Sequence, residues 1–412
     1  LPSNKASHLD EALILLRDYA DGQLFAPDEV NQESRVVISE LNARDNAGKR
    51  TSLDRLNTIY AGTLITNREV GGLSEQISSA TAEQLRAFYR RNYSPARVTL
   101  VVVGPVDPAL VSAKITRRFG SMSAAAESVA PYASIDPPVE GITPTVITAP
   151  TFTSTLTEFH FVASRPPDNA EGHREELMQH LALLGLCRRL ADKRERDLSH
   201  YSKPAINSDQ PSFSPGFVHH SIQLGTPAGD WSDAVQFIET ELRRGREGFT
   251  QAEINEAVAG ELKSLSDHSS SMAGQSSASL ANSLAGGIET GREWRSPSIV
   301  LAESQATLGG LKVADVTAAF TRIFPTDSFQ LVLFVPPDTH VKPERLLSAY
   351  EKSSRQTLKK NPAQEDELHF CYENFGPAGK IVKQERVDDL NLSLLVFENG
   401  VRLNLRPSSF EP

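Results

Sequence analysis

Leu9, Ala12, Leu13, Leu16 and Tyr19 recur at three- and four-residue intervals, which predicts an amphipathic helix near the start of the chain. Pro27-Asp28-Glu29 opens a second helix, with a proline and two acids where a first turn accommodates them. It continues through Val30, Glu33, Val36, Val37, Glu40 and Leu41. A third helix is expected from Ser52 to Tyr60, and Gly71-Gly72 breaks the pattern. Thr81 followed by Gln84 has the form of a capping box, and Leu85, Phe88 and Tyr89 mark the helix behind it. That helix should stop before Pro95. Val98 to Val103 is an unbroken apolar run, mostly β-branched, which predicts a buried strand. Asp107-Pro108 starts another helix, ending near Phe119-Gly120.

Residues 121–150 are rich in Ala, Ser and Pro and read as a linker. Beyond it, Thr153–Val162, Val218–Leu224 and Phe329–Val335 read as strands. Glu175–Arg194, Trp231–Arg244, Gln251–Leu265, Val300–Leu308 and Ala314–Phe324 read as helices. Ser264–Gly287 is dense in small residues and fits either a mobile loop or a closely packed helix. Residues 341–391 are charged and broken by Pro and Gly, as a connector would be. From Leu392 to Leu405 the chain reads strand, Asn399-Gly400 turn, strand, a strong hairpin signal.

A repeat organises these elements. Ile77–Asp107 and Leu308–Asp338 align without a gap, with six identities that include Arg91 with Arg322, Leu100 with Leu331, Pro105 with Pro336 and Asp107 with Asp338. The order of elements also matches: capped helix, aromatic pair, strand, proline turn, aspartate. We therefore expect two related α+β units, in residues 1–120 and 151–340, with residues 392–412 opening a third. The second unit has a strand ahead of its repeat and the first has only helices. On this reading the chain is a fragment whose first unit lacks its opening strands, so self-association is expected.

Composition narrows the possibilities. The net charge of −10 argues against a nucleic-acid partner. No apolar run approaches the ~18 residues of a membrane helix. Two cysteines, Cys187 and Cys371, make neither a disulfide framework nor a cysteine zinc site. No phosphate-binding glycine loop, dinucleotide fingerprint or nucleophile elbow is present.

Candidate chemistry concentrates on the second helix. Glu33 and Glu40 are two turns apart and share one face with Val36 and Val37. Acids on an apolar stripe need a partner or a metal. Arg44, four residues after Glu40, and Arg35, beside Glu33, offer the plainer reading of surface ion pairs. His173 and His180 have the wrong spacing for a metallopeptidase motif and are expected to be ordinary surface histidines. His219 and His220 should point to opposite faces of their strand, so they do not readily share a metal.

The segment Phe25-Ala26-Pro27-Asp28-Glu29-Val30-Asn31-Gln32-Glu33-Ser34-Arg35-Val36-Val37-Ile38-Ser39-Glu40 resembles the one that follows the HxxEH motif in the pitrilysin/insulinase (inverzincin) zinc peptidases. Arg50, Arg68-Glu69-Val70-Gly71, Phe88-Tyr89-Arg90-Arg91-Asn92-Tyr93-Ser94-Pro95 and Val101-Val102-Val103-Gly104-Pro105-Val106-Asp107 continue the resemblance. Pro105 departs from it, since the family's usual residue there is Asp. The resemblance implies an α+β fold of tandem homologous domains, each a mostly antiparallel sheet packed with helices. It implies Glu40 as the third zinc ligand and Glu33 as the acid supporting the site from behind. It also implies a His₂Glu zinc with an open position for water.

The motif HxxEH itself does not occur in this sequence, so no catalytic residue is expected here and this fragment alone should not hold zinc. The resemblance implies a parent zinc endopeptidase acting on peptides in a clam-like chamber. Its partners would be peptide substrates and the other half of the parent or a partner subunit, with a homo-oligomer possible. An exported, periplasmic or secreted location is favoured over the cytoplasm. The competing expectation is a non-catalytic structural or partner subunit of the same fold.

Overall fold

The computed structural model of the chain describes residues 6–68, 71–122, 140–197, 201–210, 216–358 and 376–407. Glu69 and Val70 of the quoted motif, most of the 121–150 linker, Cys371 and the middle of the 341–391 connector lie outside them. The chain divides into two bodies, Leu1–Leu358 and Lys359–Pro412.

The larger body opens with helices α1 (Ala6–Asp21), α2 (Pro27–Arg44), α3 (Ala47–Ile59), α4 (Ser74–Ser79), α5 (Ala82–Asn92) and α6 (Pro108–Phe119). Their starts follow from local chemistry. Thr81 and Gln84 cap α5 reciprocally. The Asp107 carboxylate accepts from the Ala109 amide at 2.9 Å ahead of α6, which begins on a proline. Leu9 and Leu13 of α1 and Val111 of α6 form a small core, with Leu100 and Val102 packed against it.

The strand expected at Val98–Val103 is not formed. These residues join no ladder, because no strand lies alongside them among the described residues. Apolar sequence alone does not make a strand when the backbone bonds have no partner.

The sheet follows. Its strands are β1 (Gly141–Thr148), β2 (Thr155–Ser164), β3 (Ala205–Asp209), β4 (Phe217–Thr226) and β5 (Ser328–Val335), in the order β1-β5-β2-β4-β3. β1 runs parallel to β5 and every other pair is antiparallel. Helices α7 (Ala170–Asp197), α8 (Trp231–Glu247), α9 (Gln251–Ser271), α10 (Ser277–Glu289), α11 (Pro297–Leu308), α12 (Val313–Ile323) and α13 (Pro343–Ser354) complete the body.

One face of the sheet presents Phe159, Phe161, Ile222, Leu224, Leu331 and Leu333 to Leu181, Leu186, Ile238 and Phe320 in a single buried core. The approach of α8 to α12 requires Gly245, where an added Cβ would lie 2.3 Å from the Phe320 ring. The other face carries Glu158, His160 and Gln330, buried in part by α3, whose Ile59 carbonyl accepts from the Gln330 amide at 3.0 Å.

Two sequence expectations change, and one left open is decided. β1 falls inside the stretch read as linker, since its Thr- and Pro-containing sequence resembles a loop, and it is held by pairing with β5. Ser264–Gly287 takes the helical one of its two expected forms, as the end of α9 and most of α10 joined through a short turn at residues 272–276. The connector reading of 341–391 gives way at both ends, to α13 and to β6 (Ile381–Val387). Leu346 and Tyr350 of α13 are buried in the main core.

The smaller body is a three-stranded antiparallel sheet in the order β6-β7-β8, with β7 at Leu392–Phe397 and β8 at Arg402–Leu405. The expected hairpin is present, and Gly400 at its turn has φ 84°.

Candidate metal-ligand helix and a buried polar network

Local sequence positions α2 firmly. Phe25, ahead of it, adopts a left-handed backbone with φ 51°. Such a conformation costs about 1 kcal/mol or more. Two contacts offset that: the Phe25 ring meets the Tyr89 ring edge-on at 5.3 Å, and the Arg86 guanidinium donates to the Leu24 and Phe25 carbonyls at 3.1 Å. Tyr89 also donates its hydroxyl to the Tyr19 carbonyl at 2.7 Å and stacks on Tyr93 at 4.7 Å. The aromatic pair of the quoted motif thus braces α1, α2 and α5 together. Arg50, another motif residue, holds Asp45 through two 3.0 Å bonds where α3 begins.

Glu33 and Glu40 lie on α2 as expected, and both are exposed, as is Val36 between them. Glu40 is ion-paired with Arg44, one turn on, with its side chain 53% exposed. The stripe that they share is therefore an open surface of this chain. No group of three His, Cys, Asp or Glu side chains able to hold a metal converges anywhere among the described residues. The residues present here do not by themselves fit a zinc ion, because one solvated carboxylate paired with an arginine is not a tetrahedral site.

The four histidines singled out from sequence occupy separate places. His173 is bonded to Asp168 at 2.8 Å and His180 to Glu261 at 2.9 Å. His219 and His220 point to opposite faces of β4, as their adjacency requires.

Sequence reasoning missed the partners of His219. Across the polar face of the sheet, Arg55 of α3 ion-pairs with Glu158 at 2.9 Å. Glu158 bonds the His160 Nε2 atom at 2.8 Å, and His160 Nδ1 lies 3.0 Å from His219 Nε2. The two imidazoles stack at 5.1 Å and 11°. Burial, reinforced by the neighbouring His160, pushes His219 down to about 3. Burial also lowers His160, against the pull of Glu158. Both rings are thus neutral at pH 7. His160 then donates from Nε2 to the carboxylate and accepts at Nδ1 from His219. The network ties α3 to the sheet. Its signal was in the alternation Glu158-Phe159-His160-Phe161, which sends two polar residues to one face and two phenylalanines to the other.

Comparisons with known proteins fit this architecture. Residues 79–261 match the family profile described as "Peptidase M16 inactive domain". The probable zinc protease PqqL of Escherichia coli K12 is 33% identical over 107 residues, which is 26% of this chain and 12% of that protein. The crystal structure of the periplasmic protease PqqL from Escherichia coli superposes with a TM-score of 0.79 at 19% identity, covering 100% of this chain and 46% of that one. The ferredoxin protease FusC, solved in complex with Arabidopsis ferredoxin, gives a TM-score of 0.75 at 15% identity, covering 99% of this chain and 46% of that one. The chain thus spans about half the length of these two structures, and a smaller share of PqqL is matched in sequence. With the fold, the matched profile and the sequence relatives in agreement, residues 79–261 correspond to the M16 peptidase inactive domain, and the chain is homologous to PqqL and the insulinase-family zinc proteases.

Proposed function

We propose that the chain is part of a zinc-dependent endopeptidase that degrades or processes peptides in a clam-like chamber. In this reading Glu40 supplies the third zinc ligand and Glu33 supports the site. The remaining ligands come from an HxxEH segment outside this sequence, and the fragment alone is inactive. Residues 1–120 contribute the end of the catalytic domain, residues 151–340 a non-catalytic repeat, and residues 392–412 the start of a third domain. Peptide substrates and the other half of the parent are its partners. The similarity to a periplasmic protease supports a periplasmic location.

The observation that carries the reading is the placement of Glu33 and Glu40 on one exposed face of α2, braced by Arg86 and by the motif residues Tyr89 and Tyr93. The Glu40 carboxylate is exposed and its ion pair with Arg44 is a surface one worth about 1 kcal/mol or less, so exchanging that partner for a metal costs little. The test is Glu40→Gln in the full-length parent, with zinc measured by elemental analysis and cleavage of an unfolded polypeptide measured alongside. Loss of both is expected. Stoichiometric zinc and normal cleavage in that variant would end the assignment.

A second reading, a non-catalytic subunit of the same fold, is favoured by one observation. The matched profile is that of the inactive domain, and it begins at residue 79, beyond Glu33 and Glu40. A parent with HxxEH replaced would establish it.

A further inference from the structure

The larger body contains a cavity of about 790 Å³, partly open to solvent and lined by α7, β3, β4 and the α9–α11 helices. It lies apart from Glu33 and Glu40, and none of its lining residues comes from α2. Small-molecule sites occupy ~300–1,000 Å³, whereas a single water fills ~30 Å³.

His220 lines this cavity and is 1% exposed, yet neither of its ring nitrogens meets a hydrogen-bond partner among the described residues. It stands on the core face of β4, its ring edge-on to Phe324 at 6.1 Å. A valine or leucine would fill that position without stranding two polar atoms. Burial also pushes the imidazole down to about 4, so it is neutral at pH 7, with one N–H to donate and one lone pair to accept.

The rest of the lining narrows the ligand. Leu183, Leu265, Met272, Val300 and the Trp294 indole supply apolar wall. Most of the charged side chains there are committed to one another or to nearby partners; Arg165 donates to the Thr290 carbonyl at 2.6 Å, and Glu293 is exposed to solvent. Arg292 holds both Asp168 and Glu176, Arg295 holds Glu303, and His180 holds Glu261. Asp168 also accepts from the Glu293 amide at 2.7 Å. An ionic ligand would have to break these pairs, whereas an uncharged one leaves them intact.

We propose that this cavity binds a small uncharged amphipathic molecule, an apolar body carrying one hydroxyl or carboxamide that bonds the His220 imidazole. The inference is independent of the peptidase reading, since it uses no residue of the α2 site.

The test titrates the full 412-residue chain with benzamide, benzoate and benzylammonium, read by saturation-transfer NMR and by tryptophan fluorescence, since Trp294 lines the cavity. Benzamide should bind saturably and at least tenfold more tightly than either ion. His220→Phe should weaken it at least tenfold. Ser279→Trp, which fills the cavity from the exposed side of α10, should abolish binding without touching the core. Absence of saturable benzamide binding, equal affinity for the three probes, or full affinity in a folded Ser279→Trp variant would each overturn the proposal.

Discussion

The two copies of the repeat are built from the same pattern and end in different states. Helix α5 and helix α12 occupy equivalent positions of the alignment from end to end. In the second copy the helix is sealed in: Val316, Ala319, Phe320 and Phe324 are fully buried. In the first copy Phe88 and Tyr93, the counterparts of Ala319 and Phe324, are 55% and 52% exposed. The following segments diverge further. Phe329 to Phe334 lie in β5, paired on both sides by β1 and β2, while residues 98–103 pair with nothing among the described residues. The helix is a local product of caps and periodicity, so both copies make it. The strand is a product of neighbours, so only one copy makes it.

That contrast can be broken experimentally. The largest effect is expected at the paired strand: Leu331→Ala should destabilise the larger body by about 2–5 kcal/mol in urea unfolding, and its counterpart Leu100→Ala by about 1 kcal/mol or less. Equal costs would mean that the first copy is as well packed as the second.

Next is Arg55→Met. Removing the cation leaves Glu158 buried with only a neutral histidine beside it, at a cost of about 2–3 kcal/mol, discounted because Arg55 is one-third exposed. The double variant Arg55→Met, Glu158→Leu should recover part of that loss.

Acid sharpens the picture in a different way. His219 and His220 are lowered to about 3 and about 4 in the folded state, against 6.5 for the free side chain. The unfolded chain therefore binds more protons below pH 6.5. Stability is fully present above that value and falls as pH drops towards the folded values. The loss should be on the order of 2 kcal/mol per histidine between pH 6.5 and 4.5, and a denaturation series flat over that window would contradict it. The smallest effect is Phe88→Ala, expected within about 0.5 kcal/mol of the parent protein because the ring is mostly in solvent.

The sequence was most legible where structure is set within a few residues. The capping box at Thr81 and Gln84, the proline start of α2 and the Asn399-Gly400 hairpin all stand where local chemistry puts them. The helix of the repeat was also legible, because α5 and α12 stand at equivalent positions, whereas its strand forms in the second copy alone. What escaped was set at a distance. β1 reads as loop because Pro144 and four threonines or glycines break its apolar run, and only pairing with β5 fixes it. The network of Arg55, Glu158, His160 and His219 joins residues up to 164 positions apart. The face carrying Glu33 and Glu40 was readable from a seven-residue spacing, yet its exposure depends on what covers α2, which spacing does not encode.

The strand order β1-β5-β2-β4-β3 also fixes a sequence of events during synthesis. An interior strand of the sheet is the last to be made, since β5, which sits between β1 and β2, begins at Ser328 while β1 ends at Thr148. A ribosome adding ~5–20 residues per second takes roughly 10–40 s to cross that gap. Through that interval β1 and β2 wait with open edges, and the helices made between them have no finished floor to rest on. Closing so long a loop is slow, and unpaired edges are where chains stick to one another. A nascent chain of this kind is best served by a holdase until Val335 is clear of the exit tunnel, and refolding from denaturant should lose more material as protein concentration rises.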